Sequence, residues 1–164
     1  MMRTSPAQGL TDRRHAYGDA AAGLPIEGYA SLWGAADLNG DVVARGAFER
    51  SLAGTGAGGV RMLHQHEARA PVGVWEEMRE DDRGLWVRGR IMDWSAEARF
   101  AQALSRAGAL DGLSIGFRSQ RARREGRLRV LVEVELWEVS LVTFPMLPGA
   151  RFTVRQRPDG AASP

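Results

Sequence analysis

The chain has 164 residues, no cysteine, and 22 basic against 20 acidic side chains, for a net charge of +2. That length suits one domain with a real core, and the missing thiols exclude disulfides, thiolate metal sites and a cysteine nucleophile. The small net charge gives no bulk attraction to nucleic acid.

Residues 1–24 are rich in Ala, Gly and Arg without a period and read as a loose arm. They lack the apolar core of a secretory signal, and no apolar run reaches the roughly 18 residues of a membrane helix. Cytoplasmic synthesis is therefore expected. Ile26 to Trp33 alternates as a strand. Asn39-Gly40, flanked by Asp37 and Asp41, signals a tight turn. Ala44 to Leu52 is helix-like, with Ala44, Phe48 and Leu52 on one face. Val60 to His66 alternates again and predicts a strand with Val60, Met62, His64 and His66 on one side. Two more strands are predicted from Val72 to Met78 and from Gly84 onward. Asp93 or Ser95 caps a helix to about Ala107, with Phe100, Ala103, Leu104 and Ala107 as its apolar stripe and Gly108 as its stop. Leu113 to Gln120 is a strand, and Leu128 to Thr143 another, joined through Glu125-Gly126. Arg155 to Pro164 is a polar tail. The sum is a mostly β chain with helices (α+β): a small antiparallel β-barrel of about six or seven strands flanked by helices. The domain spans 25–154, with the tail at 155–164.

All 22 basic side chains are Arg. Without lysine there is no Schiff base and no Ser–Lys dyad. A covalent hydrolase must then use Ser or Thr with His as base. The histidines are His15, His64 and His66, and His15 falls in the arm. His66 ends an alternating strand. His64 and His66, at i and i+2, could also ligate a metal as in a cupin. The cupin acid would fall at Ala70 or Pro71, which cannot ligate, and no later histidine completes the shell.

Ser114, in Asp111-Gly112-Leu113-Ser114-Ile115-Gly116-Phe117, opens a strand. Gly112 and Gly116 beside it would let a substrate backbone approach. This is not the strand–turn–helix elbow of Gly-x-Ser-x-Gly hydrolases. Glu138 continues an otherwise apolar face, where a carboxylate needs a partner such as imidazole. A hairpin folded about Glu125-Gly126 sets Ser114 opposite Trp137 or Glu138. Arg118, Arg121, Arg123, Arg124, Arg127 and Arg129 crowd that hairpin and read mainly as a solvated face.

The sequence resembles the prohead protease family of tailed phages and gene transfer agents. The residues that carry the resemblance are Gly28-Tyr29-Ala30-Ser31, Asp37, Gly40-Asp41, Gly46-Ala47-Phe48, Met62-Leu63 with Gln65-His66, and Pro71-Val72-Gly73-Val74-Trp75. They continue with Gly84-Leu85, Gly112 to Phe117, and Glu138-Val139-Ser140-Leu141-Val142-Thr143 with Pro145. The likeness covers about residues 26–150. It implies an assemblin-like barrel related to the herpesvirus maturation proteases, a Ser114 nucleophile and a His66 base. Herpesvirus relatives use a second histidine as third member. None follows His66 here, so Glu138 takes the role, with His64 as fallback. Glu67 stands where an Asp is usual, and Met146 where a small residue is usual. The implied reaction is endoproteolysis inside the assembling prohead in the bacterial cytoplasm. The implied partners are the major capsid protein with its scaffolding segment, any internal scaffold, and the chain itself, as a self-cleaving homo-oligomer. No cofactor, metal, membrane or nucleic acid is expected as a partner. A non-catalytic assembly module on this fold and the cupin-like metal barrel are the competing readings.

Overall fold

The computed structural model describes residues 23–156. Among these the elements, in chain order, are β1 (Leu24–Leu32), β2 (Asp41–Val43), α1 (Glu49–Thr55), β3 (Arg61–Leu63), β4 (Pro71–Glu80) and β5 (Gly84–Ile91). Then follow α2 (Ala96–Arg106), β6 (Gly112–Glu125), β7 (Leu128–Val142) and β8 (Phe152–Val154). The reading of 1–24 as an arm lies outside the described residues except at its end, where Leu24 already belongs to β1. The tail reading from 155 onward lies outside them except for Arg155 and Gln156. Arg155 still belongs to the sheet edge, since its N–H donates to Pro25 O at 2.8 Å.

The strands form one curled sheet in the order β2-β7-β3-β4-β5-β1-β8, with β6 on the other side of β7. Most neighbours are antiparallel, as expected. The departures are β2 and β3, which pair with β7 in parallel at its two ends, at Arg129–Leu131 and at Glu138. The curl brings the far edges together at one end. Gly112 bridges to Arg151, Leu113 N–H donates to Ala150 O at 2.9 Å, and Phe152 N–H donates to Asp111 O at 2.8 Å. The interior is filled by Ile26, Phe48, Met62, Leu85, Ile91, Leu113, Leu131 and Leu141, all at most 1% exposed. Each such side chain contributes roughly 1.5–3 kcal/mol through burial, before chain entropy is counted.

Local chemistry sets several boundaries. The β4–β5 turn is tied by Asp81, whose carboxylate accepts from the N–H groups of Arg83 and Gly84 and from Tyr29 Oη at 2.7 Å. Burial pushes this carboxyl up, but those three hydrogen bonds outweigh it and hold it below its ordinary value. Ser95 caps α2, its Oγ accepting from Ala98 N–H at 3.0 Å.

The first helix starts later than its periodicity predicts. Gly46 takes φ 91°, and Glu80 accepts from the N–H groups of Gly46 and Phe48, so residues 45–48 are turns and α1 begins at Glu49. The stripe expected on α2 is also corrected. Ala98, Ala101, Gln102 and Ser105 are buried, while Phe100 is 54% exposed. Small residues let the helix lie close to the sheet, and Gln102 Nε2 donates to the carbonyls of Ile91 and Met92 at 2.8 and 3.0 Å. Those two backbone acceptors favour burial of the face that carries Gln102.

Candidate active site

β7 organises the site because it holds a different neighbour on each side. On one side β6 runs antiparallel, with Ser114 opposite Ser140 and Gly116 opposite Glu138. On the other, β3 runs parallel, with Arg61 beside Glu138 and His64 bridged to Leu141. The hairpin expected between β6 and β7 forms, but its register differs from a simple fold about Glu125-Gly126. The turn centres one residue later, at Gly126 (φ 60°) and Arg127, and irregularities at 116–122 slip the ladder further. Ser114 therefore meets Ser140 rather than Trp137 or Glu138.

The strand predicted to reach His66 ends at Leu63. Gln65 and His66 both adopt the left-handed conformation, at φ 53° and 59°. This turn separates the two histidines. His66 lines a cleft, its imidazole 43% exposed, and its Nδ1 pairs with Glu138 Oε1. Ser140 Oγ–H also donates to Glu138 Oε1, at 3.1 Å. His64 is buried instead, with Nδ1 on Glu97 of α2 and no partner for Nε2. The i, i+2 spacing that would unite two imidazoles on a flat strand thus ends with each on its own carboxylate. Among the described residues no three His, Asp or Glu side chains gather as a metal site.

Ser114 is 7% exposed and lines the same cleft as His66. Ser31, Ile115, Phe117, Met146 and Leu147 form its walls, and Asp37, Asp41 and Arg129 its charged end. Arg129 holds Asp41 through two nitrogens, at 2.8 and 2.6 Å. These bonds raise the guanidinium above its already high pKa, so it stays charged. No hydrogen bond joins Ser114 to His66 among the described residues.

The flanking glycines have a role the sequence did not suggest. A Cβ on Gly116 would lie 2.7 Å from Glu138 Oε1, so the missing side chain is what lets Glu138 lie across β6. A Cβ on Gly112 would meet Val142 O at 2.6 Å and Pro145 Cδ at 2.8 Å. Each glycine is thus also required by the packing of the protein itself. Sequence reasoning also passed over Asp41, Arg129 and Ser140 as site residues. Ser140 was visible as the next inward position after Glu138. The Asp41–Arg129 pair joins residues 88 apart and left no local signal. Of the hairpin arginines, Arg118, Arg123 and Arg129 are paired with Glu135, Glu125 and Asp41.

Similarities to known proteins follow the same lines. The family model of the caudovirus prohead serine protease matches residues 12–160. The chain is 32% identical over 148 residues to the prohead protease of Enterobacteria phage HK97, covering 87% of this chain and 64% of that protein. It is 29% identical over 140 residues to the prohead protease of Escherichia phage T5, covering 84% and 65%. The chain thus spans a little under two thirds of the length of these relatives. In fold it is similar to the bacteriophage T4 capsid assembly protease gp21, at TM-score 0.59 and 17% identity over 73% of this chain and 82% of that one. It is also similar to KSHV protease, solved with a hexapeptide phosphonate inhibitor, at TM-score 0.58 and 14% identity over 82% and 66%. The curled sheet with its two helices is therefore assemblin-like, and the chain belongs to the caudovirus prohead serine protease family.

Proposed function

We propose that this chain is a serine endopeptidase of capsid maturation, with Ser114 as nucleophile, His66 as general base and Glu138 as the group that orients His66. The observation that carries the reading is that Ser114 and His66 line one cleft while Glu138 holds His66 Nδ1. A carboxylate on Nδ1 favours the tautomer whose Nε2 is free to accept a proton. Ser140 in turn steadies that carboxylate through its own hydrogen bond.

The reaction is acyl transfer. Ser114 Oγ bonds to the peptide carbonyl carbon as its proton passes to His66 Nε2. His66 then gives that proton to the leaving amine as the C–N bond breaks. Water, deprotonated by the same nitrogen, hydrolyses the ester and restores Ser114. Glu138 stabilises the imidazolium formed between these steps and keeps its own charge throughout.

The substrates we assign are the scaffolding segment of the major capsid protein, any internal scaffold, and the protease itself, all inside the assembling prohead of a phage or gene transfer agent. Self-cleavage would fall in 155–164, and the working form would be a homo-oligomer. Co-expression with the capsid protein of the same genome tests the reading. Cleavage at a discrete site is expected with the wild type and not with Ser114→Ala. Equal cleavage by both, or by neither, would overturn it.

A further inference from the structure

Gln65 and His66 are the non-glycine residues with left-handed backbone among the described residues. Two such residues in succession persist only where their surroundings over-determine them. The device that does so is a clamp between Gln65 and the end of β7. Gln65 N–H donates to Leu141 O at 2.8 Å. Its side-chain Nε2 donates to Thr143 Oγ1 at 2.7 Å, and its Oε1 accepts from Thr143 N–H at 3.3 Å. A primary amide on a two-carbon stem is used as donor and acceptor at once. Glutamate at this position would lack the donor, and methionine would fill the same length with neither.

On its other side the turn is closed by its own backbone. His64 N–H donates to Ala70 O at 3.0 Å, and Ala70 N–H donates to Glu67 O at 2.9 Å. The next residue after the clamp sets its imidazole on Glu138, three positions before Leu141 on the same strand. Strand β7 therefore grips the turn by backbone, by amide and by imidazole. Gln65 is itself exposed and adds little to the core. Its bonds serve the conformation of residue 66 more than the stability of the barrel.

We propose that Gln65 is a positioning residue for His66: it holds the strained turn that keeps the imidazole between Glu138 and the cleft. This rests on the reading of His66 as the base. Without the clamp the turn relaxes toward extended backbone and the imidazole leaves Glu138.

The test uses the full chain and a fluorophosphonate probe that labels an activated serine, so no natural substrate is required. Gln65→Met is expected to lower the second-order labelling rate roughly 10- to 100-fold with little change in melting temperature. Gln65→Glu, which keeps only the acceptor, should fall between. Thr143→Val, just past β7, removes the Nε2 bond but keeps the Thr143 N–H bond to Gln65 Oε1, so it should show part of the loss even if a change at 65 disturbs folding. The deciding measurement is the double variant Gln65→Met/Glu138→Gln. If Gln65 acts through the imidazole–carboxylate pair, the double variant is no slower than Glu138→Gln alone. Additive losses would mean a merely structural role and overturn the inference. So would wild-type labelling rates in Gln65→Met and Thr143→Val, with Ser114→Ala unlabelled. Labelling that survives in Ser114→Ala, or is absent from the wild type, would instead overturn the underlying assignment of the site.

Discussion

His64 and His66 are two positions apart, and each sets Nδ1 against a glutamate, yet they occupy different chemical worlds. The His64 side chain is 9% exposed, wedged between β7 and α2, and the ring of Phe100 stands edge-on to it at 6.4 Å. The His66 side chain is 43% exposed and shares a cleft with Ser114. Pairing with a carboxylate is therefore no mark of a general base. Access to the cleft is what separates the two, and that access comes from the left-handed turn at 65–66. A flat strand would have sent both rings to one face.

The comparison can be broken most directly by removing each ring. His66→Ala is expected to lower kcat by roughly 10⁴-fold at nearly unchanged stability. His64→Leu is expected to change stability by no more than about 1 kcal/mol, because the half-exposed Glu97 regains water, while kcat stays within a few-fold. Steady-state cleavage with denaturant melts of both variants checks this, and a folded but inactive His64→Leu would reverse the two roles.

A smaller effect should follow from neutralising the carboxylates. Glu138→Gln is expected to reduce kcat roughly 100-fold with KM little changed, whereas Glu97→Gln should leave kcat near wild type. Equal losses in both would show that the two pairs act as one unit. The smallest effect sharpens the contrast without touching either ring. Gly116→Ala presses a methyl group on Glu138 and should cost about 1–3 kcal/mol, with a several-fold loss of kcat. The His64–Glu97 pair lies outside its reach, so the ring signals of His66 alone should shift in a histidine NMR spectrum.

Much of this architecture is legible in the amino-acid order, and the illegible parts share a cause. Alternation marks β1, β5, β6 and β7, Ser95 marks the start of α2, and Gly126 the hairpin. These are local signals, set by period or by a single side-chain cap. The strands β2 and β8 are three residues long and exist only because β7 and β1 offer unpaired backbone to them. The inward face of α2 was misjudged because Phe100 looks like a core residue, while the small Ala98 and Ala101 and the carbonyls served by Gln102 decide the packing. Ser114 and His66, which share the cleft, and Glu138, which pairs with His66, stand out by residue type. The register that pairs Ser114 with Ser140 depends on bulges, and the clamp of Gln65 on Thr143 joins residues 78 apart. Nothing in a short window encodes either.

The parallel contact of β3 with β7 has a consequence for how the protein comes to life. Arg61 meets Glu138 across 77 intervening links of chain, and that pairing brings the loop of His66 beside the strand that holds its carboxylate. Contacts of such long sequence separation cost chain entropy to close and slow folding. A nascent polypeptide that has emerged only through β6 has the serine and both histidines but no β7 to align them. The cleft that Ser114 and His66 share is therefore complete only once β7 has been made and paired with both β3 and β6.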